Sequence, residues 1–76
     1  GPVKGEVWLF KDKDFKGEMV RFVQDTPHLG KFNDKLTSLR VGPDTNVVIF
    51  QDAEYKGKSK VFFGDVPHVG SDFNDK

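Results

Sequence analysis

The sequence predicts an all-β fold, a two-sheet Greek-key sandwich, and three observations carry that expectation. A pattern of about forty residues occurs twice: Phe10-Lys11-Asp12-Lys13-Asp14-Phe15-Lys16-Gly17 returns as Phe50-Gln51-Asp52-Ala53-Glu54-Tyr55-Lys56-Gly57. Each copy continues through Pro-His-x-Gly (Pro27 to Gly30, Pro67 to Gly70) to Phe-Asn-Asp-Lys, ending at Lys35 and Lys76. An internal repeat of this length means one supersecondary unit built twice. The apolar residues form short β-branched or aromatic runs or alternate with period two, and no stretch holds a helical stripe over three turns. The segments between them are rich in Gly, Pro, Asn and Asp, which is turn chemistry.

The elements follow in order. Glu6 to Phe10 is a short β-branched and aromatic run, then six polar and aromatic residues lead to Gly17, where positive φ lets the chain fold back. Glu18 to Phe22 alternates as the second strand. The stretch from Asp25 to Gly30 is turn-rich and runs to Asn33-Asp34, and Leu36 to Val41 reads as a fourth strand. The second repeat offers Asn46 to Phe50, Gly57, Lys58 to Phe62 and the turn-rich Asp65 to Gly70, then stops at Asn74-Asp75-Lys76 without a fourth strand. Motif one thus spans about 5–41 and motif two about 45–76, incomplete, in one domain over 1–76. Two four-strand units imply the Greek-key sandwich. The two or three apolar side chains of the absent strand would each contribute about 1.5–3 kcal/mol if buried, a sum comparable with the stability of a small domain. A continuing chain, a truncation or a strand-completing partner chain or neighbouring domain would each account for it, and a continuing chain is the preferred account.

Composition narrows the classes of function. A chain of 76 residues buries only about 60% of its unfolded surface, so it gains from a staple. It has no cysteine, which leaves a hard cation held by oxygens, or association with another chain. Twelve basic and twelve acidic residues interleave to a net charge of zero, giving no reason to expect nucleic acid or an anionic membrane as partner. No long apolar run or signal peptide is present, which reads as a soluble, mature or excised domain. Catalysis has little to stand on. There is no Gly-x-Ser-x-Gly elbow and no cysteine nucleophile, and His28 and His68 lack partners for a relay or for a zinc site, so no enzyme is expected. Phe10, Phe15, Phe50 and Tyr55 read as core aromatics, Asp12 and Asp14 as a solvated hairpin tip, and Trp8 as a core or sheet-face residue.

The spacing of Phe10, Phe15 and Gly17, of Phe50, Tyr55 and Gly57, and the run Asn33-Asp34-Lys35-Leu36-Thr37-Ser38 together resemble the βγ-crystallin Greek-key motif in its calcium-binding, microbial-type form. The run fits the Asn/Asp-Asn/Asp-x-x-Ser/Thr-Ser calcium motif of that family at every position, and the match spans nearly the whole chain. The resemblance implies that the Asp34 side chain and the Lys35 carbonyl bind one calcium ion, with a backbone carbonyl from a first hairpin connection, Lys11 or Gln51. It implies that the Thr37 hydroxyl reaches to the other site, where it meets the Asp75 side chain and the Lys76 carbonyl. Ser38 then caps the loop by hydrogen bonding. Because the second repeat ends before the Ser/Thr that would complete the Asp34 site, the Thr37/Asp75 site is the fuller of the two.

The expected function is therefore a calcium-binding module in which the ion stabilises the fold, with affinity in the micromolar to sub-millimolar range of weakly charged oxygen sites. Such a site suits an extracellular or cell-surface setting. The alternatives are a carbohydrate-binding or adhesion module of a larger protein with structural calcium, and an ion-free structural domain.

Overall fold

The computed structural model describes residues 1–25 and 37–69. Five strands run through them: β1 (Val7–Asp12), β2 (Lys16–Phe22), β3 (Ser38–Val41), β4 (Val47–Asp52) and β5 (Lys56–Phe62). One antiparallel sheet has the order β2-β1-β3 and the other pairs β4 with β5. An antiparallel bridge between Leu39 and Val66 brings the third segment of the second repeat onto β3, across the boundary between the sheets. That crossing ties the two repeats together. The expected fourth strand is present as β3, with Leu36 outside the described residues, as is most of the turn-rich stretch from Asp25 to Gly30.

The duplication extends to the hydrogen-bonding register. Val7↔Phe22, Trp8↔Arg21, Leu9↔Val20, Phe10↔Met19 and Asp12↔Lys16 recur forty positions on as Val47↔Phe62, Val48↔Val61, Ile49↔Lys60, Phe50↔Ser59 and Asp52↔Lys56. Both hairpins break register at the same place, between Phe10 and Asp12 and between Phe50 and Asp52. Lys11 therefore faces two residues, Gly17 and Glu18, and Gln51 faces Gly57 and Lys58, which is a bulge with glycine at its left-handed position. Gly17 has φ +80° and Gly57 φ +79°.

The bulge corrects one sequence expectation. Pairing resumes beyond it, so the connection is three residues, 13–15 and 53–55, rather than six. The turn uses non-glycine residues in the left-handed region: Asp14 (φ 61°) and Phe15 (φ 59°), Glu54 (φ 62°) and Tyr55 (φ 59°). Each such residue costs roughly 1–2 kcal/mol. Edge-to-face packing offsets part of this, with Phe15 on Phe10 at 6.0 Å and 72°, and Tyr55 on Phe50 at 5.8 Å and 75°.

The core lies between the sheets. Val7 and Leu9 of β1 and Leu39 and Val41 of β3 face Ile49, Phe62 and Val69, with Phe22, Val47 and Val66 packed around them. Alternation along β1 puts Trp8 on the opposite face from Val7 and Leu9, where it is half-buried, as a sheet-face residue. Of the four hairpin aromatics, Phe10 is buried and Phe15 and Phe50 are partly buried, but Tyr55 is 49% exposed. The difference has a local cause. The Arg40 guanidinium lies 3.9 Å from the Phe15 ring, and no strand flanks Tyr55 in that way among the described residues.

Glu6 anchors the entry to β1. Its carboxylate accepts the Val3 backbone N–H at 3.1 Å and Arg21 Nη1 at 2.7 Å. The Val3 hydrogen bond is the chief reason its pKa lies below the ordinary value; burial opposes it and the Arg21 charge assists. The buried Trp8 indole N–H makes no hydrogen bond of good geometry, and its attraction to this carboxylate is the weakest of the group's interactions. A lowered folded pKa stabilises the fold above the unfolded value of about 4.3, and that stabilisation is lost as pH falls through the folded pKa. Stability measured by urea unfolding should decline on acidification below about pH 4.3, less steeply in Glu6→Gln. Equal slopes in the two proteins would assign the acid limb to other carboxylates.

Candidate metal site

The sequence-predicted ligands divide into two groups. Asp34, Lys35, Asp75 and Lys76 lie outside the described residues. Lys11, Thr37 and Gln51 lie within them, and their placement follows from the two bulges and the interlocked repeats.

Lys11 sits opposite the first bulge, at the break in β1 pairing, and Gln51 sits at the same place in β4. Bulges end regular pairing and re-aim backbone groups, which is why they recur beside functional sites. The Lys11 side chain pairs with Glu18 at 3.5 Å, and both are about half exposed. Such an exposed pair contributes little, so any role of Lys11 as a metal ligand rests on its backbone carbonyl.

Thr37 is held from both sides by its own backbone. Its N–H donates to the Phe10 carbonyl at 3.1 Å, and its carbonyl accepts the Val69 N–H at 2.6 Å. It therefore lies between the residue before Lys11 and the segment of the second repeat that leads toward Asp75. That segment is fixed in turn: Leu39 and Val66 exchange hydrogen bonds of 3.0 and 2.9 Å, and the Asp14 N–H donates to the Pro67 carbonyl at 2.9 Å. Val69 of repeat two is thus hydrogen-bonded to Thr37 of repeat one, and the remaining residues of the reciprocal arrangement lie outside the described residues.

Ser38, next to Thr37, is wholly buried and bonds through its side chain. Its Oγ donates to the Asp12 carbonyl at 2.6 Å and accepts the Phe15 N–H at 3.1 Å. Its expected capping role is present, but on the first hairpin turn, because β3 begins directly beside that turn. Of three consecutive carbonyls, those of Phe10 and Asp12 are thereby engaged by Thr37 and Ser38, with Lys11 between them.

The described part of the expected donor set consists of oxygen atoms. Among the described residues no three His, Asp or Glu side chains gather as a metal cluster, and the candidate donors there are backbone carbonyls and one hydroxyl. These are hard oxygens, suited to calcium and unsuited to zinc. His68 is exposed, and His28 lies outside the described residues. Asp12 and Asp14 are exposed, as expected for a solvated tip.

Sequence reasoning passed over Asp65. Its Oδ2 accepts Arg40 Nη1 at 2.8 Å and its Oδ1 accepts the Val41 N–H at 3.0 Å, clamping the second repeat to the end of β3. The signal was the repeat itself, which carries Asp25 forty residues earlier.

Comparison with known proteins agrees with this architecture. Residues 3–62 match peptidase inhibitor family I36. Spherulin-3A of Physarum polycephalum is 37% identical over 51 residues, 63% of this chain and 50% of that protein, so the chain spans about half the length of the curated relative it matches. Among solved structures, one described under the evolution of the eye lens βγ-crystallin domain fold is 29% identical with a TM-score of 0.90, over 97% of this chain and 80% of the other. A βγ-crystallin domain from Clostridium beijerinckii is 28% identical with a TM-score of 0.81, over 92% and 87%. A βγ-crystallin from Ciona intestinalis is 27% identical with a TM-score of 0.79, over 84% and 80%. The chain therefore belongs to peptidase inhibitor family I36 and is, by sequence pattern and by fold, a βγ-crystallin domain.

Proposed function

We propose that this domain is a non-enzymatic calcium-binding module whose fold is stabilised by the ion. The observation that supports it most is the position of Thr37 between Phe10-Lys11 at the first bulge and Val69 on the way to Asp75. In this reading the Lys11 carbonyl, the Thr37 hydroxyl, the Asp75 carboxylate and the Lys76 carbonyl serve one ion. Asp34, Lys35 and the Gln51 carbonyl serve the other. Calcium bound there would add a further link between repeats that already share one core and the Asp65 clamp. An ion that binds only the native state adds about 2.7 kcal/mol at a hundredfold excess over Kd.

Thermal unfolding followed by Trp8 fluorescence, in chelator and again in millimolar calcium with a magnesium control, tests this. At about 4–8 °C per kcal/mol for a domain of this size, calcium should raise the midpoint by about 10 °C or more at saturation, and magnesium should not. Equal midpoints in chelator and calcium would remove the proposal.

A second reading is favoured by the family match over residues 3–62: inhibition of a peptidase. It predicts slow or absent cleavage of a reporter substrate when the domain is added to a peptidase of the sensitive class. A panel of serine, cysteine, aspartic and metallopeptidases with reporter peptides tests it independently of calcium.

A further inference from the structure

One segment of the second repeat has the build of a loop presented to a peptidase. At the end of β5 the chain runs Phe62-Phe63-Gly64-Asp65-Val66, and both flanks are fixed. On the first side Phe62 pairs with Val47 and its ring is buried in the core, 7% exposed. On the second side the Asp65 carboxylate holds Arg40 and the Val41 N–H, and Val66 exchanges two backbone hydrogen bonds with Leu39. Between these anchors Phe63 is 72% exposed, the most exposed of the large apolar side chains among the described residues. A Cβ added at Gly64 would meet nothing within 4 Å. The two strands that hold this segment, β5 and β3, are both in place beside it, so the exposure belongs to the loop itself.

A phenylalanine left in water forgoes burial that a partner's apolar pocket can supply. Val23, its counterpart forty positions earlier, is aliphatic and is followed by Gln24, so only the second repeat sets an aromatic residue before glycine at this place. A peptidase cleft pairs with its substrate's backbone as an added strand, which needs extended chain. The hairpin turns do not meet that need, since 13–15 and 53–55 each carry two residues in the left-handed region, whereas neither Phe63 nor Gly64 lies there. The outer edge of β5 is unpaired among the described residues, and its Val61, two residues before Phe63, is 44% exposed.

We propose that Phe63 enters the primary pocket of a peptidase that accepts large aromatic side chains, with Phe63-Gly64 as the bond presented to the enzyme. The site presupposes inhibition of a peptidase, the reading that the family match supports. Fixed flanks reduce the ordering lost on docking, which is how a preformed loop gains affinity. Hydrolysis of the bond by one water would leave a carboxylate on Phe63 and an amine on Gly64. Both new ends would stay in place, the first through β5 and the buried Phe62 ring, the second through Asp65 and Val66. The cut chain would therefore leave slowly, and the bond can re-form with release of the same water.

Chymotrypsin, whose primary pocket is a hydrophobic slot, and trypsin, whose pocket holds an aspartate, test this with reporter peptides, in chelator and in calcium. The wild-type domain should inhibit chymotrypsin competitively and leave trypsin untouched. Phe63→Ala should weaken inhibition about thirtyfold or more, the size of an interface hot spot. Phe63→Lys should lose chymotrypsin and gain trypsin, an exchange that no folding defect can produce. Urea unfolding should place both variants close to wild type, as expected for a side chain largely in water. Chymotrypsin inhibition that survives in Phe63→Lys, or inhibition confined to peptidases without an aromatic pocket, would overturn the site and leave the inhibitor reading standing. Rapid degradation of the domain at Phe63-Gly64 would overturn the site as well. Absence of inhibition across serine, cysteine, aspartic and metallopeptidases would remove the inhibitor reading, and the site with it.

Discussion

Leu39→Ala is expected to lower the stability of the domain by about 3 kcal/mol or more, within the range for buried leucines whose cavity cannot collapse. Leu39 is wholly shielded from solvent, lies opposite Leu9 on one side and bridges Val66 on the other. Removing its side chain opens a void where three chain segments of two repeats meet, so no single segment can move in without breaking hydrogen bonds to the others. Urea unfolding should show the midpoint fall with little change in slope. Val48→Ala is the control: Val48 is 47% exposed, and substitutions at such surface positions usually stay within about 0.5 kcal/mol. Similar losses in the two variants would mean that the core does not lie where the sheets face one another.

Ser38→Ala has the second largest expected effect, about 2–3 kcal/mol, although it removes a single oxygen. The hydroxyl donates at 2.6 Å and accepts at 3.1 Å, and its loss leaves the Asp12 carbonyl and the Phe15 N–H without that partner in a part-buried setting. An orphaned buried polar group costs about 1–3 kcal/mol. The turn it supports already holds Asp14 and Phe15 in the left-handed region, so the hairpin has little reserve. Thr45→Ala gives the contrast. Its hydroxyl also bridges two backbone groups, Gly5 N–H and Pro43 carbonyl at 2.8 Å each, but these are exposed and water replaces it. A Ser38→Ala loss no larger than that of Thr45→Ala would show that the buried cap does not hold the hairpin.

Much of this architecture was legible in the residues, because duplication turns weak local signals into a pattern. Phe10-x4-Phe15-x-Gly17 alone permits many loops; its return at Phe50, Tyr55 and Gly57 required two equivalent hairpins, and their registers coincide forty positions apart. The glycines at positive φ followed from the same reading. The length of the hairpin turn did not. Period-two alternation breaks at Lys11 and Gln51, where the polar residues looked like loop, whereas an extra residue on the opposite strand absorbs the break and pairing continues to Asp12 and Asp52. Nor did composition reveal that Tyr55, an aromatic by repeat equivalence to Phe15, stays half exposed, since that depends on which strand lies beside it. At the candidate site, residue type pointed to oxygen donors, and only the backbone shows that Thr37 is held between the two repeats. The clamp by Asp65 was written in the sequence as the pair Asp25 and Asp65, but an isolated aspartate in a turn carries no sign of the partner it will meet.

Calorimetric titration of calcium into the wild-type domain and into Thr37→Val tests the central proposal most directly. The substitution preserves shape and removes the one hydroxyl offered by Thr37. The account predicts saturable binding in the wild type at micromolar to sub-millimolar calcium. It also predicts that the tighter phase weakens at least about tenfold in Thr37→Val, while urea unfolding in chelator shows the two proteins to be of similar stability. Absence of saturable heat in the wild type, or identical isotherms for the two proteins, would contradict it.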